Sequence, residues 1–173
     1  MQKSDFMGNT ENIFSDNRGN QLMVALYFYD KYEKINTLKI PEEYADIEIA
    51  DISIEKIELN KPLHYGAFAA MNRWLFEQFE LHPNAIFSFI CSLDALDTNH
   101  QNMPPEQYRW RLFDALYNRF IKYNQYANIH TQDVIFGPDE YLSYTRTFYR
   151  SQHAPIIYIV GSYLKDKYNQ TGY

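Results

Sequence analysis

Two carboxylates and an imidazole lie close together in the stretch Cys91-Ser92-Leu93-Asp94-Ala95-Leu96-Asp97-Thr98-Asn99-His100. The apolar run Ala85 to Leu93 that leads into it reads as a short central strand, and in open α/β sheets ligands gather beyond the carboxyl ends of such strands. Asp94, Asp97 and His100 are therefore the candidate catalytic residues: they offer acid, base or ligand oxygens, with Arg109 or Arg111 of the following segment to hold an anion. The same composition also has a purely structural use, because Asp, Asn and Thr cap turns and helix starts. That use alone accounts for the loop.

Other chemistry finds less support. His64, His82, His100, His130 and His153 are scattered, none forms an i, i+4 pair, and the single Cys91 builds no thiolate site, so no metal is expected. Cys91 sits in an apolar strand without an evident activating base and reads as a small buried hydrophobe. There is no G-x-S-x-G motif and no G-x-x-x-x-G-K-[ST] phosphate loop; Gly137 and Gly161 read as turn or strand-end residues.

The elements that must position these residues belong to a chain of 173 residues, within the range of one domain. Hydrophobic residues make up 46% and aromatic residues 17%, so the chain should fold. Its 16 Tyr, 12 Phe and 2 Trp serve core and strand packing more simply than they serve as stacking platforms. The net charge of −6 repels phosphate backbones, which argues against nucleic acid. Arg109, Arg111, Arg119 and Lys122 in the helical segment 105–123 read as a solvated face. The polar MQKSDFMGNTEN start lacks the apolar stretch of a signal peptide, and no apolar run is long enough to span a bilayer, so a cytoplasmic location without membrane contact is expected.

Along the chain, a polar and frayed first dozen residues lead through Ile13 and Phe14 to Asp16-Asn17-Arg18-Gly19-Asn20, a hairpin turn before the strand Gln21 to Asp30. The near-continuous apolar character of that strand implies cover on both faces. Asp30 to Lys34 reads as a turn. In Ile47 to Leu59 the alternation slips, which fits one bulged strand or two shorter ones. Leu63 to Leu81 carries Phe68, Met71, Leu75 and Phe79 at helical spacing, with Trp74 and Phe76 widening the apolar face. A second helix follows, with Pro104 or Pro105 in its first turn and Phe113, Leu116, Tyr117 and Phe120 inward. Asp133 to Phe136 and Ile156 to Val160 read as strands, and Asp139 to Tyr149 between them as strand or helix. The fold class is α+β, a single domain over 1–173 with polar ends at about 1–12 and 165–173: a mixed, mostly antiparallel sheet with two main helices.

FSFICSLDALDTN followed by RWRLFDALYNRF resembles a family of small Bacteroidota proteins whose activity is uncharacterised, in which a strand ends in a Cys-Asp pattern before an Arg-rich helix. The element order is also similar to the acyl-CoA N-acyltransferase (GNAT-like) core. That resemblance implies a cofactor turn at Leu63 to Phe68 (LHYGAF), where Gly66 is the matching position, Leu63 replaces a polar residue, and Phe68 stands where the family keeps a small side chain. It also implies acetyl-CoA as cofactor and Tyr117, in Leu116-Tyr117, as general acid. The family's Asn upstream and Gly-Phe downstream of that tyrosine are missing here.

With no catalytic motif, an acidic balance and a small size, the expected function is a non-enzymatic protein-interaction module of a bacterial cell, of immunity, antitoxin or adaptor type, needing no cofactor. Glu42, Glu43, Asp46, Glu48 and Asp51 would suit a basic protein partner. The alternative is a diverged acyl-CoA-dependent N-acyltransferase. A hydrolase or nucleotide-handling enzyme built on Asp94, Asp97 and His100 ranks third.

Overall fold

The computed structural model describes residues 9–58, 65–91, 110, 111, 114, 115, 117–119, 121, 122, 128–136 and 143–170. The fold is α+β, with six strands in one mixed sheet ordered β1-β2-β3-β4-β6-β5. The strands are β1 (Thr10–Ser15), β2 (Gln21–Phe28), β3 (Glu48–Glu58), β4 (Ala85–Cys91), β5 (His130–Phe136) and β6 (Ser143–Tyr149). The helices are α1 (Tyr65–Leu81), α2 (described positions within 110–122) and α3 (Ala154–Gln170). By contact density the chain divides into two compact units, 1–87 and 88–173.

The first unit begins with the hairpin that the Asp/Asn/Gly cluster dictates. Asp16 Oδ1 accepts from the backbone N–H groups of Arg18 and Asn20 at 2.8 and 3.0 Å, and Gly19 takes the left-handed φ of 80° that closes the turn. This fixes an antiparallel register from Thr10↔Leu26 to Ser15↔Gln21. Residues 10–12 are thus ordered in β1 rather than frayed. In β2, Leu22, Val24 and Leu26 are buried on one face and Ala25 on the other, but Tyr27 is 44% exposed, so the expected cover on both faces is incomplete. β3 is one strand, not two. Its register against β2 runs unbroken from Ala50↔Phe28 to Lys56↔Leu22 and then skips to Glu58↔Gln21, which makes Ile57 the extra residue of a terminal bulge. Ile49, Ala50 and Ile52 are all buried, so the slipping isoleucine pattern records apolar cover on both faces where β3 begins.

Asp30 to Lys34 is not a simple turn. Glu33 N–H donates to Asp30 Oδ1 and Asp30 N–H to Glu33 Oε2, both at 2.8 Å, a reciprocal capping box that starts a helical segment continuing as a π-helix over Glu33–Thr37. The segment ends where Leu38 N–H bonds Glu33 O and Ile40 N–H bonds Lys34 O, each at 3.0 Å, around Lys39 at φ 60°. A β-carbon is unfavourable in that conformation, so Lys39→Gly should raise stability by about 0.5–1 kcal/mol, read from urea midpoints. A loss of stability on that change would mean that the Lys39 side chain makes a compensating contact.

Helix α1 buries Ala67, Met71, Phe76 and Phe79, and Trp74 meets Phe14 of β1 edge-on at 6.0 Å. Phe87 packs edge-on against Phe79 at 5.3 Å and Phe28 at 6.0 Å, closing the core of this unit.

In the second unit β5 and β6 pair antiparallel from His130↔Tyr149 to Phe136↔Ser143, which assigns 143–149 of the ambiguous aromatic segment to strand. Ile156 to Val160, read as a strand, instead lies in α3. Its β-branched residues mislead, because burial of Ile156, Ile157 and Val160 beside an exposed Tyr158 follows helical spacing, and Pro155 fits the first turn. Gly161 is not a turn residue. It is buried in α3 over β5, where a β-carbon would stand 3.0 Å from Gln132 Oε1 and 3.4 Å from Val134 Cγ2. No helix among the described residues is long and apolar enough to cross a membrane.

Candidate functional site

Among the described residues, the second unit contains a group of charged and aromatic side chains centred on Arg146. Arg146, in the middle of β6, is only 3% exposed. Register places Asp133 of β5 directly beside it, and the pair is bidentate: Nε donates to Asp133 Oδ1 and Nη2 to Asp133 Oδ2, both at 2.7 Å. Nη1 donates to Asp114 Oδ1 of α2 at 2.8 Å, and Asn118 Nδ2 holds the other Asp114 oxygen at 3.1 Å. The guanidinium carbon lies 5.1 Å from the Trp110 ring centroid and 5.7 Å from that of Tyr117, both on α2. Burial works against the charge on Arg146, yet the two aspartates outweigh it and its pKa is raised.

Tyr117 donates its hydroxyl proton to Ile129 O at 3.2 Å and tilts against Phe148 at 5.5 Å. Burial, then the neighbouring Asp133 and Asp114, raises its pKa, while Arg146 opposes the rise. The hydroxyl is thus a neutral donor fixed on a backbone carbonyl. On either side of Arg146 in β6, Thr147 Oγ1 and Ser88 Oγ share a buried hydrogen bond of 3.0 Å, and Thr145 Oγ1 donates to Val134 O at 3.0 Å.

The cluster has the chemistry of a clamp. Three guanidinium N–H groups are committed to carboxylates and the cation is covered by two rings, so it ties α2 to the β5–β6 pair instead of presenting a free anion site.

A second group, in the first unit, is built around Lys34. The lysine is 8% exposed, and its Nζ donates to Ala45 O and, at 2.9 Å, to Ile47 O. Burial lowers its pKa, partly offset by Asp46, Glu48 and Asp30. Nearby, His82 Nδ1 and Glu48 Oε1 are 3.0 Å apart, and the His82 ring lies 4.8 Å from that of Phe28. Tyr29 donates its hydroxyl proton to Asp51 Oδ2 at 2.6 Å.

His153 is fully buried, immediately before α3, and its Nδ1 accepts the Arg150 backbone N–H at 3.3 Å. Burial, reinforced by the Arg150 charge, lowers its pKa below the ordinary 6.5. The unfolded chain therefore binds more protons than the native one between the lowered value and 6.5, and stability falls as pH drops through that interval. His153→Asn, whose side-chain oxygen can accept the same N–H, should flatten the decline. Urea midpoints at pH 7 and pH 5 for both proteins check this, and an unchanged slope would assign the decline to other groups.

Of the residues singled out by sequence, Asp94, Asp97, His100 and Arg109 lie outside the described residues. So do the Leu63 end of the cofactor turn and the inner helix positions Phe113, Leu116 and Phe120. Gly66 is exposed in the first turn of α1, with Phe68 half-buried two residues on. Arg111, Arg119 and Lys122 are exposed on α2. Cys91 is the last residue of β4. Among the described residues no three His, Cys, Asp or Glu side chains converge as a metal site would require. Tyr117 joins a constellation whose other members, Arg146, Asp133, Asp114 and Trp110, sequence reasoning missed. The available signal was a charge in the middle of each of two strands, HTQDVIF and SYTRTFY, which calls for pairing once the strands are neighbours. Comparison with protein-family models, with curated proteins and with solved structures gives no match.

Proposed function

We propose that this chain is a non-enzymatic protein-interaction module of the bacterial cytoplasm, of immunity, antitoxin or adaptor type. The observation that carries the reading is that, among the described residues, the titratable groups with clearly perturbed pKa values are committed to structural bonds. Arg146 is held by Asp133 and Asp114, Lys34 by two backbone carbonyls, Tyr117 by Ile129 O, and His153 by the Arg150 N–H. Catalytic acids and bases need a proton or lone pair to exchange with substrate, and these four spend theirs on the fold. The acidic balance supports a basic partner. Residues 30–51 hold seven Asp and Glu against three Lys, a net −4 of the chain's −6. Glu42, Glu43 and Asp46 are exposed there.

The test is capture from native lysate with the whole chain as bait. A single protein recovered in fixed ratio and released by salt is expected; no stoichiometric partner under gentle conditions would overturn the reading. The competing N-acyltransferase makes a different claim. A ligand at 100 times its dissociation constant stabilises a native state by about 2.7 kcal/mol, a melting shift of several degrees at this size. We expect no such shift with millimolar acetyl-CoA or CoA. A saturable shift, lost when Gly66 is replaced by a bulky residue, would restore the enzyme.

A further inference from the structure

Resting on the interaction-module reading, we infer that the outward face of the β1-β2-β3 sheet is the docking surface, and that its occupant is a protein segment presenting arginine or lysine among apolar side chains. The registers Glu11↔Ala25↔Ser53, Ile13↔Met23↔Glu55 and Tyr27↔Asp51 place these residues on one face, opposite the Leu22, Val24 and Leu26 set that the core buries. Two large apolar side chains on this outward face are open to solvent, Ile13 at 52% and Tyr27 at 44%, and Ile57, at the bulge that ends β3, is 45% exposed. Ala25, between Met23 and Tyr27 along β2, is 3% exposed, so the centre of the face is closed over by its neighbours and the solvent-open side chains lie around it.

Solubility alone does not account for this pattern. A solvated sheet face ordinarily carries mixed charges at its outward positions, whereas here Glu11, Asp51 and Glu55 are all carboxylates and no Lys or Arg stands among them. Exposed aliphatic groups and a tyrosine beside single-sign charge are the composition of an interface whose partner carries the opposite sign. Asp51 is already oriented, its Oδ2 held by the Tyr29 hydroxyl at 2.6 Å. An arginine suits this face best, because its planar head can meet a carboxylate while stacking on the exposed Tyr27 ring.

The test titrates the whole protein with two synthetic amphipathic peptides, one alternating leucine with arginine and one alternating leucine with glutamate, followed by amide and methyl NMR shifts. Saturable shifts at Ile13, Met23, Tyr27 and Ile57 are expected with the arginine peptide alone. The affinity should fall at least tenfold in the double variant Tyr27→Ser with Glu55→Lys, whose fold is checked by its melting curve, and should weaken with salt. Absence of saturable binding, shifts confined to 42–46, or equal binding by the variant would overturn the assignment of this face. Concentration-dependent dimerisation abolished by Tyr27→Ser would overturn it too, since the occupant would then be a second copy of this chain. The module reading is judged separately: a native partner held equally by wild type and double variant would sustain that reading while discarding this face.

Discussion

Asp133→Ala is expected to cost about 3–5 kcal/mol of folding stability, because among the described residues it leaves the buried guanidinium of Arg146 only its bond to Asp114. Breaking one partner from a buried ion pair is dearer than removing the pair, so the order of effects is informative. Asp114→Ala removes the bond from Arg146 and the exposed bond from Asn118, both made by a side chain that is 36% exposed, and should cost about 1–2 kcal/mol. Arg146→Met keeps most of the volume and leaves two carboxylates, at 36% and 29% side-chain exposure, that water can reach. It should therefore be milder than Asp133→Ala. Guanidinium midpoints at constant slope read these differences. An Asp133→Ala cost below about 1 kcal/mol would mean that Arg146 is not held as a clamp and can serve an incoming anion.

Lys34→Met should cost about 2–4 kcal/mol, since it preserves the length of the side chain but removes the donors from the carbonyls of Ala45 and Ile47, both buried residues. Part of that loss is offset, because an ammonium no longer has to be buried. The pH dependence separates the two contributions. Burial lowers the Lys34 pKa from 10.5, so between the lowered value and 10.5 the unfolded chain holds the extra proton, and the lysine's contribution to stability rises with pH through that window. The gap between wild type and Lys34→Met should accordingly widen from neutral toward alkaline pH. A gap that narrows would show that the ammonium charge, through Asp46, Glu48 and Asp30, outweighs its burial.

What the sequence disclosed and what it withheld divide along physical lines. Local chemistry was legible: Asp16-Asn17-Arg18-Gly19-Asn20 closes its hairpin through the Asp16 carboxylate, and the Phe68, Met71, Leu75 and Phe79 periodicity marks α1 as a core helix, of which Met71, Phe79 and the widening Phe76 are buried while Phe68 and Leu75 are half-buried. One local signal was overlooked, the D-x-x-E spacing of Asp30 and Glu33 that builds a capping box where a turn was expected. Ile156 to Val160 was misread because a short β-branched run fits a buried strand and a buried helix equally, and only the position of the cover distinguishes them. The Arg146 clamp was not legible at all. Its partners lie 13 and 32 residues away, and which residues face each other across β5 and β6 depends on a register that periodicity alone leaves free. The catalytic candidates Asp94, Asp97 and His100 fall outside the described residues, so their fate rests on activity: Asp94→Ala and Asp97→Ala are expected to change no measurable activity and to leave the thermal midpoint in place.

The most direct test of the interaction-module account is the composition of the complex that the intact chain forms in native lysate, measured by mass after gentle affinity capture. The account predicts one basic protein in fixed stoichiometry, held at low salt and released at about 0.5 M salt, where charge attraction is screened within a few ångströms. Recovery of the chain alone at low salt, or of a partner whose binding ignores salt and charge reversal at Glu55, Glu42 and Glu43, would contradict it.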